Sequence, residues 1–101
     1  MTNIRTLRLD GELTIYCAQE THRQLLQTLA DQASEGGPQA LEIDLSGVSE
    51  IDTAGVQLLL TMLRYAGAHG VNTRLVRESA AVAETMTLLS LDGYLEQRAH
   101  A

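Results

Sequence analysis

The sequence predicts an α/β domain built on a mixed sheet of about four strands, the first hairpin antiparallel and the later strands parallel, with helices packed mainly on one face. Three observations carry that expectation. Leu41, Ile43 and Leu45 alternate with Glu42 and Asp44, the period-2 signature of a strand that buries one face. From Asp52 onward the apolar spacing changes to that of a helix. The same change from strand to helix recurs before and after this stretch, so the later strands are parallel and joined by crossovers. Because the strands alternate instead of being apolar throughout, one sheet face is expected to stay comparatively open.

Taken in order, residues 6–9 place Leu7 and Leu9 on one side of a strand, and Asp10-Gly11 supplies the chemistry of a tight hairpin turn. Residues 12–16 read as the returning strand, with Leu13 and Ile15 inward. Residues 18–33 have helical spacing, since Ala18, Leu25 and Leu29 fall on one arc, and Gly36-Gly37-Pro38 ends that helix. A strand at 40–44 follows, then a polar turn around Ser46-Gly47. A second helix begins near Thr53 and closes at Ala68-His69-Gly70, where glycine readily takes the left-handed cap conformation. Residues 72–77 form the fourth strand, with Leu75 inward. Ser79 is placed to cap a third helix whose inward face is Val82, Met86 and Leu89. Asp92-Gly93 then turns the chain so that Tyr94 and Leu95 pack back.

With 101 residues, the chain reads as one domain over 1–101 that buries roughly 60 to 65% of the surface its unfolded form exposes. Cys17 has no partner for an internal disulfide, and Met1-Thr2-Asn3-Ile4-Arg5 does not resemble a signal peptide, so a cytoplasmic location is expected. No apolar run reaches the roughly 18 residues of a membrane span. The formal net charge is -6, and all seven basic residues are scattered arginines. That balance argues against a nucleic-acid partner and leaves a protein partner as the simplest expectation.

Function is expected at Asp52-Thr53-Ala54-Gly55, where a loop enters a helix. Free N–H groups and the positive end of the helix dipole point there, so a hydroxyl can be displayed and a phosphate tolerated. The plain alternative is that Asp52 or Thr53 serves only as an N-cap. Gly55 is expected where a backbone comes close. Along the same helix, Gly55, Val56, Leu59, Leu60, Leu63 and Ala66 form an arc assigned to the core. Ala54, Leu58, Met62 and Tyr65 form a second stripe beside it, either covered by a neighbouring helix or exposed as a docking face. Elsewhere the signals are bland. Cys17 reads as a small buried hydrophobe, His22 as a boundary residue near its helix's inward arc, and His69 as a partner for a helix C-terminus. His100 lies in the tail, and Glu42 and Asp44 read as solvated surface. No histidine shares a metal-ligand spacing with Cys17 or a carboxylate, and the glycines match no nucleotide-binding fingerprint. Neither an enzyme, a metal nor a cofactor is expected.

The quoted residues carry a family resemblance. Gly11-Glu12-Leu13-Thr14-Ile15-Tyr16-Cys17-Ala18 resembles the second strand and first helix start of STAS domains, the fold of bacterial anti-sigma factor antagonists. Asp44-Leu45-Ser46 through Asp52-Thr53-Ala54-Gly55 resembles that family's central motif, and Leu91-Asp92-Gly93-Tyr94 the stretch after its third helix. The resemblance implies a regulatory, non-catalytic domain that binds an anti-sigma factor or histidine-kinase-like serine/threonine kinase. Phosphorylation of the hydroxyl after the motif Asp, here Thr53, and a PP2C-type phosphatase would complete the switch. Asp52, Thr53, Ala54, Gly55, Leu58, Met62 and Tyr65 would then form the docking surface. Threonine where the antagonists carry serine is similar to the STAS subunit of the bacterial phospholipid-transport ABC complex, which implies an ABC transporter ATPase as the alternative partner. A small-molecule-sensing STAS domain is a third implication.

Overall fold

The computed structural model describes residues 3–34 and 39–95. Strand β1 (Asn3–Leu13) leads into helix α1 (Ala18–Ala33), then β2 (Gln39–Ile51), α2 (Thr53–Ala68), β3 (Val71–Val76) and α3 (Ala80–Leu88), and a single 3-10 turn over Asp92–Tyr94 follows. Among the described residues there is one sheet, in the order β1-β2-β3, and both pairings are parallel. The expected four-stranded mixed sheet is therefore a three-stranded parallel one.

The expected hairpin is absent because β2 is longer than its alternating core. It runs for 13 residues, straight through the predicted turn at Ser46-Gly47, and offers β1 a partner along its whole length. Gly11 does take a left-handed φ of 80°. The chain nonetheless continues in the same direction, and Glu12 and Leu13 pair with Glu50 and Ile51. Two register shifts, after Arg8 and after Gly11, absorb the extra residues of β2. Gly47 fits one of them: a Cβ there would overlap the Asp10 carboxylate.

Leu41, Ile43 and Leu45 face the helices and are fully buried. They join one core with Leu9 and Leu13 of β1, Leu25 and Leu29 of α1, Val56 and Leu59 of α2, Leu75 of β3, and Val82 and Met86 of α3. Side-chain bonds hold the layers in place. The buried Gln32 amide donates to the Ala40 carbonyl at 2.7 Å, tying the end of α1 to the start of β2. Ser79 caps α3 by accepting from the Val82 N–H at 3.3 Å, while its own N–H donates to the Leu45 carbonyl at 3.2 Å. Gly70 ends α2 with a φ of 78°. Leu95 packs back as expected and bridges to Leu75, whereas Tyr94 and Leu89 stay exposed.

The opposite sheet face is polar. Thr6 donates to Glu42 at 3.4 Å, Arg74 pairs with Glu42 at 2.7 Å, and Arg77 pairs with Asp44 at 3.0 Å. Asp44 is less solvated than the sequence suggested: its side chain is 13% exposed, because the Arg77 side chain and the Ser46 backbone close over it. The Gly36-Gly37-Pro38 terminator and His100 lie outside the described residues.

Candidate functional site

The β2–α2 junction is built around Asp52. Its backbone is extended, and its Oδ1 accepts the Gly55 N–H at 3.0 Å, which makes it the N-cap of α2. Its Oδ2 accepts the Ile15 N–H at 3.0 Å, and its own N–H donates to the Leu13 carbonyl at 3.4 Å. The Gly55 N–H and then the Ile15 N–H hold the Asp52 carboxyl below the usual carboxylate range. One side chain thus joins the start of α2 to the end of β1. Gly55 allows that closeness, since a Cβ there would overlap the Leu13 carbonyl oxygen. The close backbone expected at Gly55 is the chain's own.

Thr53 occupies the first turn of α2 with its side chain exposed. Ala54 and Leu58 are half-buried. Met62 is 1% exposed and belongs to the core, so it cannot lie on the docking stripe expected of it. Leu60 and Leu63, expected inside, are only partly buried. Tyr65 is exposed but sits about 18 Å from Thr53 along the helix axis. There it stacks on His69, with ring centroids 4.3 Å apart, and the His69 Nδ1 donates to the Tyr65 carbonyl at 2.9 Å. Tyr65 and His69 border a groove of about 350 Å³ with Leu26, Leu29, Ala30 and Val71. The structure brings together Asp52, Thr53, Ala54 and Gly55, with Leu58 one turn on. Met62 is behind them and Tyr65 is at the far end.

Two residues on this surface were missed. Ile15 is 66% exposed and Tyr16 is 91% exposed, and the Ile15–Asp52 bond sets them beside the Thr53 turn. Alternation with Leu13 made Ile15 look inward, and nothing local marks β1 as ending at Leu13. Cys17 is half-buried, and His22 is exposed instead of lying at a core boundary. Among the described residues no cluster of three His, Cys, Asp or Glu side chains could hold a metal ion. No helix among them is long and apolar enough to cross a membrane.

A family model described as "Mlab, STAS domain" matches residues 3–97. The chain belongs to the STAS domain family. Solved structures agree on the fold. The unphosphorylated form of the anti-sigma factor antagonist SpoIIAA superposes with a TM-score of 0.68 at 21% identity, covering 95% of this STAS domain and 84% of that chain. A Thermotoga maritima protein described as an anti-sigma factor antagonist gives 0.71 at 21% identity, over 91% of this chain and 75% of that one. A sulfate transporter family protein of Wolinella succinogenes gives 0.68 at 13% identity, with the same coverage of 91% and 75%. Among curated protein sequences nothing matches this STAS domain.

Chemically, the junction offers an exposed hydroxyl at a helix N-terminus. The acidic neighbour is already engaged by two N–H groups, and two exposed apolar side chains stand alongside. A helix N-terminus favours negative charge, so a phosphate on a hydroxyl in that position would be tolerated by the helix.

Proposed function

We propose that this STAS domain is a non-catalytic regulatory interaction domain, similar in role to an anti-sigma factor antagonist. It docks a kinase-type regulator through the β2–α2 junction and is released when Thr53 is phosphorylated. The observation that carries this reading is the exposed Thr53 side chain at the start of α2, beside Ile15 and Tyr16, with Asp52 turned inward by its two backbone bonds. Asp52, Thr53, Ala54 and Leu58 form the docking surface with Ile15 and Tyr16, while Gly55 and Met62 support it from within. Tyr65 lies outside it. That the Bacillus protein SpoIIAA has been solved in a phosphorylated as well as an unphosphorylated form supports the switch.

A phosphate on Thr53 adds about 1.5 to 2 negative charges, and the α2 dipole favours such charge by roughly 0.3 to 1 kcal/mol. The fold therefore tolerates the modification. A partner surface fitted to a neutral hydroxyl does not, because like-charge juxtaposition costs several kcal/mol, or about a hundredfold or more in affinity. Thr53→Glu is expected to weaken capture of a histidine-kinase-like regulator while leaving the melting transition nearly unchanged. Thr53→Ala is expected to stay bound.

A second reading is favoured by one observation, the Mlab description of the matching family model together with threonine at 53. In that reading the domain supports the ATPase of a phospholipid-transport ABC complex, and the hydroxyl is a contact. Pull-downs with both variants, run beside mass spectrometry of the protein from its own host, separate the two. An unmodified Thr53 with weakened alanine binding overturns the phosphoswitch.

A further inference from the structure

β1 is an edge of the sheet. Among the described residues its inner side pairs with β2 and no strand lies along its outer side. The other edge, β3, is bridged at Leu75 by Leu95. The extra residues at both register shifts belong to β2, and β1 itself departs from extended geometry at Gly11, with a φ of 80°. Proteins ordinarily protect such an edge with charged side chains, a proline, a bulge or a covering segment. The polar face of β1 carries Arg8, Asp10 and Glu12, charges of both signs that a second copy could match only in particular registers. Arg8 and Asp10 are paired at 2.8 Å, with side chains 57% and 63% exposed.

We propose that β1 is the interface of a symmetric homodimer, in which two copies add edge to edge as antiparallel strands about a two-fold axis through Leu9. The argument is one of register. Residues directly opposite each other in an antiparallel pair share a sheet face. In β1, Thr6, Arg8, Asp10 and Glu12 are exposed or polar, while Leu7, Leu9 and Leu13 turn toward the core. Only registers that pair even with even and odd with odd positions keep both faces continuous. Of the central ones, centring on Arg8 sets Arg8 against Arg8, and centring on Asp10 sets Asp10 against Asp10. Both place like charges face to face, which is destabilising. Centring on Leu9 places Arg8 of each copy against Asp10 of the other, and the two intrachain pairs close into a ring of alternating charge. A two-fold axis normal to the sheet makes this an isologous, closing contact, with both helical layers on the same side.

Sedimentation equilibrium of the full chain across a concentration series is expected to show twice the chain mass at the upper end. Arg8→Asp and Asp10→Arg each place like charges across the axis and are expected to weaken dimerisation by about tenfold or more. An equimolar mixture of the two variants restores the opposite-charge pairs between chains and is expected to dimerise again. Neither variant can form the pair within itself, so this rescue separates an interchain pairing from the intrachain one. Hydrogen exchange on the unaltered chain gives an independent reading, since β1 amides should gain protection with concentration. A wild-type chain that stays monomeric throughout, a folded single variant that dimerises like wild type, a mixture that fails to associate, or β1 protection independent of concentration overturns the proposal.

Discussion

Asp44 shows how far a single residue's surroundings depart from its sequence neighbours. On an alternating strand it reads as a solvated carboxylate. In the fold its Oδ1 accepts the Ser46 N–H at 2.9 Å and its Oδ2 accepts from Arg77 at 3.0 Å. The bond from Ser46 first, and then Arg77, lowers its pKa from 3.8 to about 2. Because the folded value lies below the unfolded one, the stabilisation is fully present above about pH 4 and is lost as pH falls toward 2. Its size is about 2 kcal/mol at most. Asp44→Asn is therefore expected to flatten the fall in stability between these pH values, as read from urea melts at each pH. An unchanged slope would show that the Arg77 and Ser46 contacts do not persist in solution. Asp52 follows the same sign, since its carboxyl is also held low by backbone N–H groups. Arg77 lies 33 residues from Asp44, so no local pattern announced the pairing.

At the scale of elements, α2 carries the main correction. Leu58, Leu59, Leu60, Met62 and Leu63 make the helix apolar over much of its circumference, so periodicity identified a helix without setting its rotation. The buried line is Gly55, Leu59, Met62 and Ala66, with Val56 beside it. This is the i, i+4, i+7, i+11 spacing of a single face, centred differently from the expected arc. Packing against α1, β2 and β3 chose it. The ranking of two substitutions is consequently reversed from the sequence expectation. Met62→Ala is expected to cost roughly 2 to 5 kcal/mol, whereas Leu63→Ala, at a partly buried position, should cost clearly less. Urea melts of both variants decide it, and an equal or smaller loss at Met62 would refute the observed rotation of α2. β1 was misread for a related reason. Asp10-Gly11 has the chemistry of a hairpin turn, and Gly11 does adopt a left-handed φ, but the parallel partner offered by β2 satisfies the backbone of residues 12 and 13 instead.

For the whole molecule, net charge and surface are the relevant quantities. At -6, with its seven arginines scattered and five of them (Arg8, Arg23, Arg74, Arg77 and Arg5) already in ion pairs or other polar interactions, the chain presents no basic stripe to a phosphate backbone. It is expected not to retard DNA or RNA at about 0.15 M salt, where screening leaves only local contacts; retention in a gel-shift assay at that salt would contradict a protein partner. The sequence by itself determined what neighbours along the chain can settle. That includes the alternation of strands and helices, the bounds of α1 and α2, the cap at Ser79, a cap for α2 at Asp52 or Thr53, the end of α2 at Gly70, and the inward leucines of β2. Each depends on local spacing or on a side chain bonding to backbone within a turn of itself. Only the tertiary structure decided how many strands there are, which partner β1 takes, which side of α2 is covered, and that Ile15 and Tyr16 stand outside beside Thr53. Those depend on contacts between segments tens of residues apart, where burial and backbone pairing override local propensity.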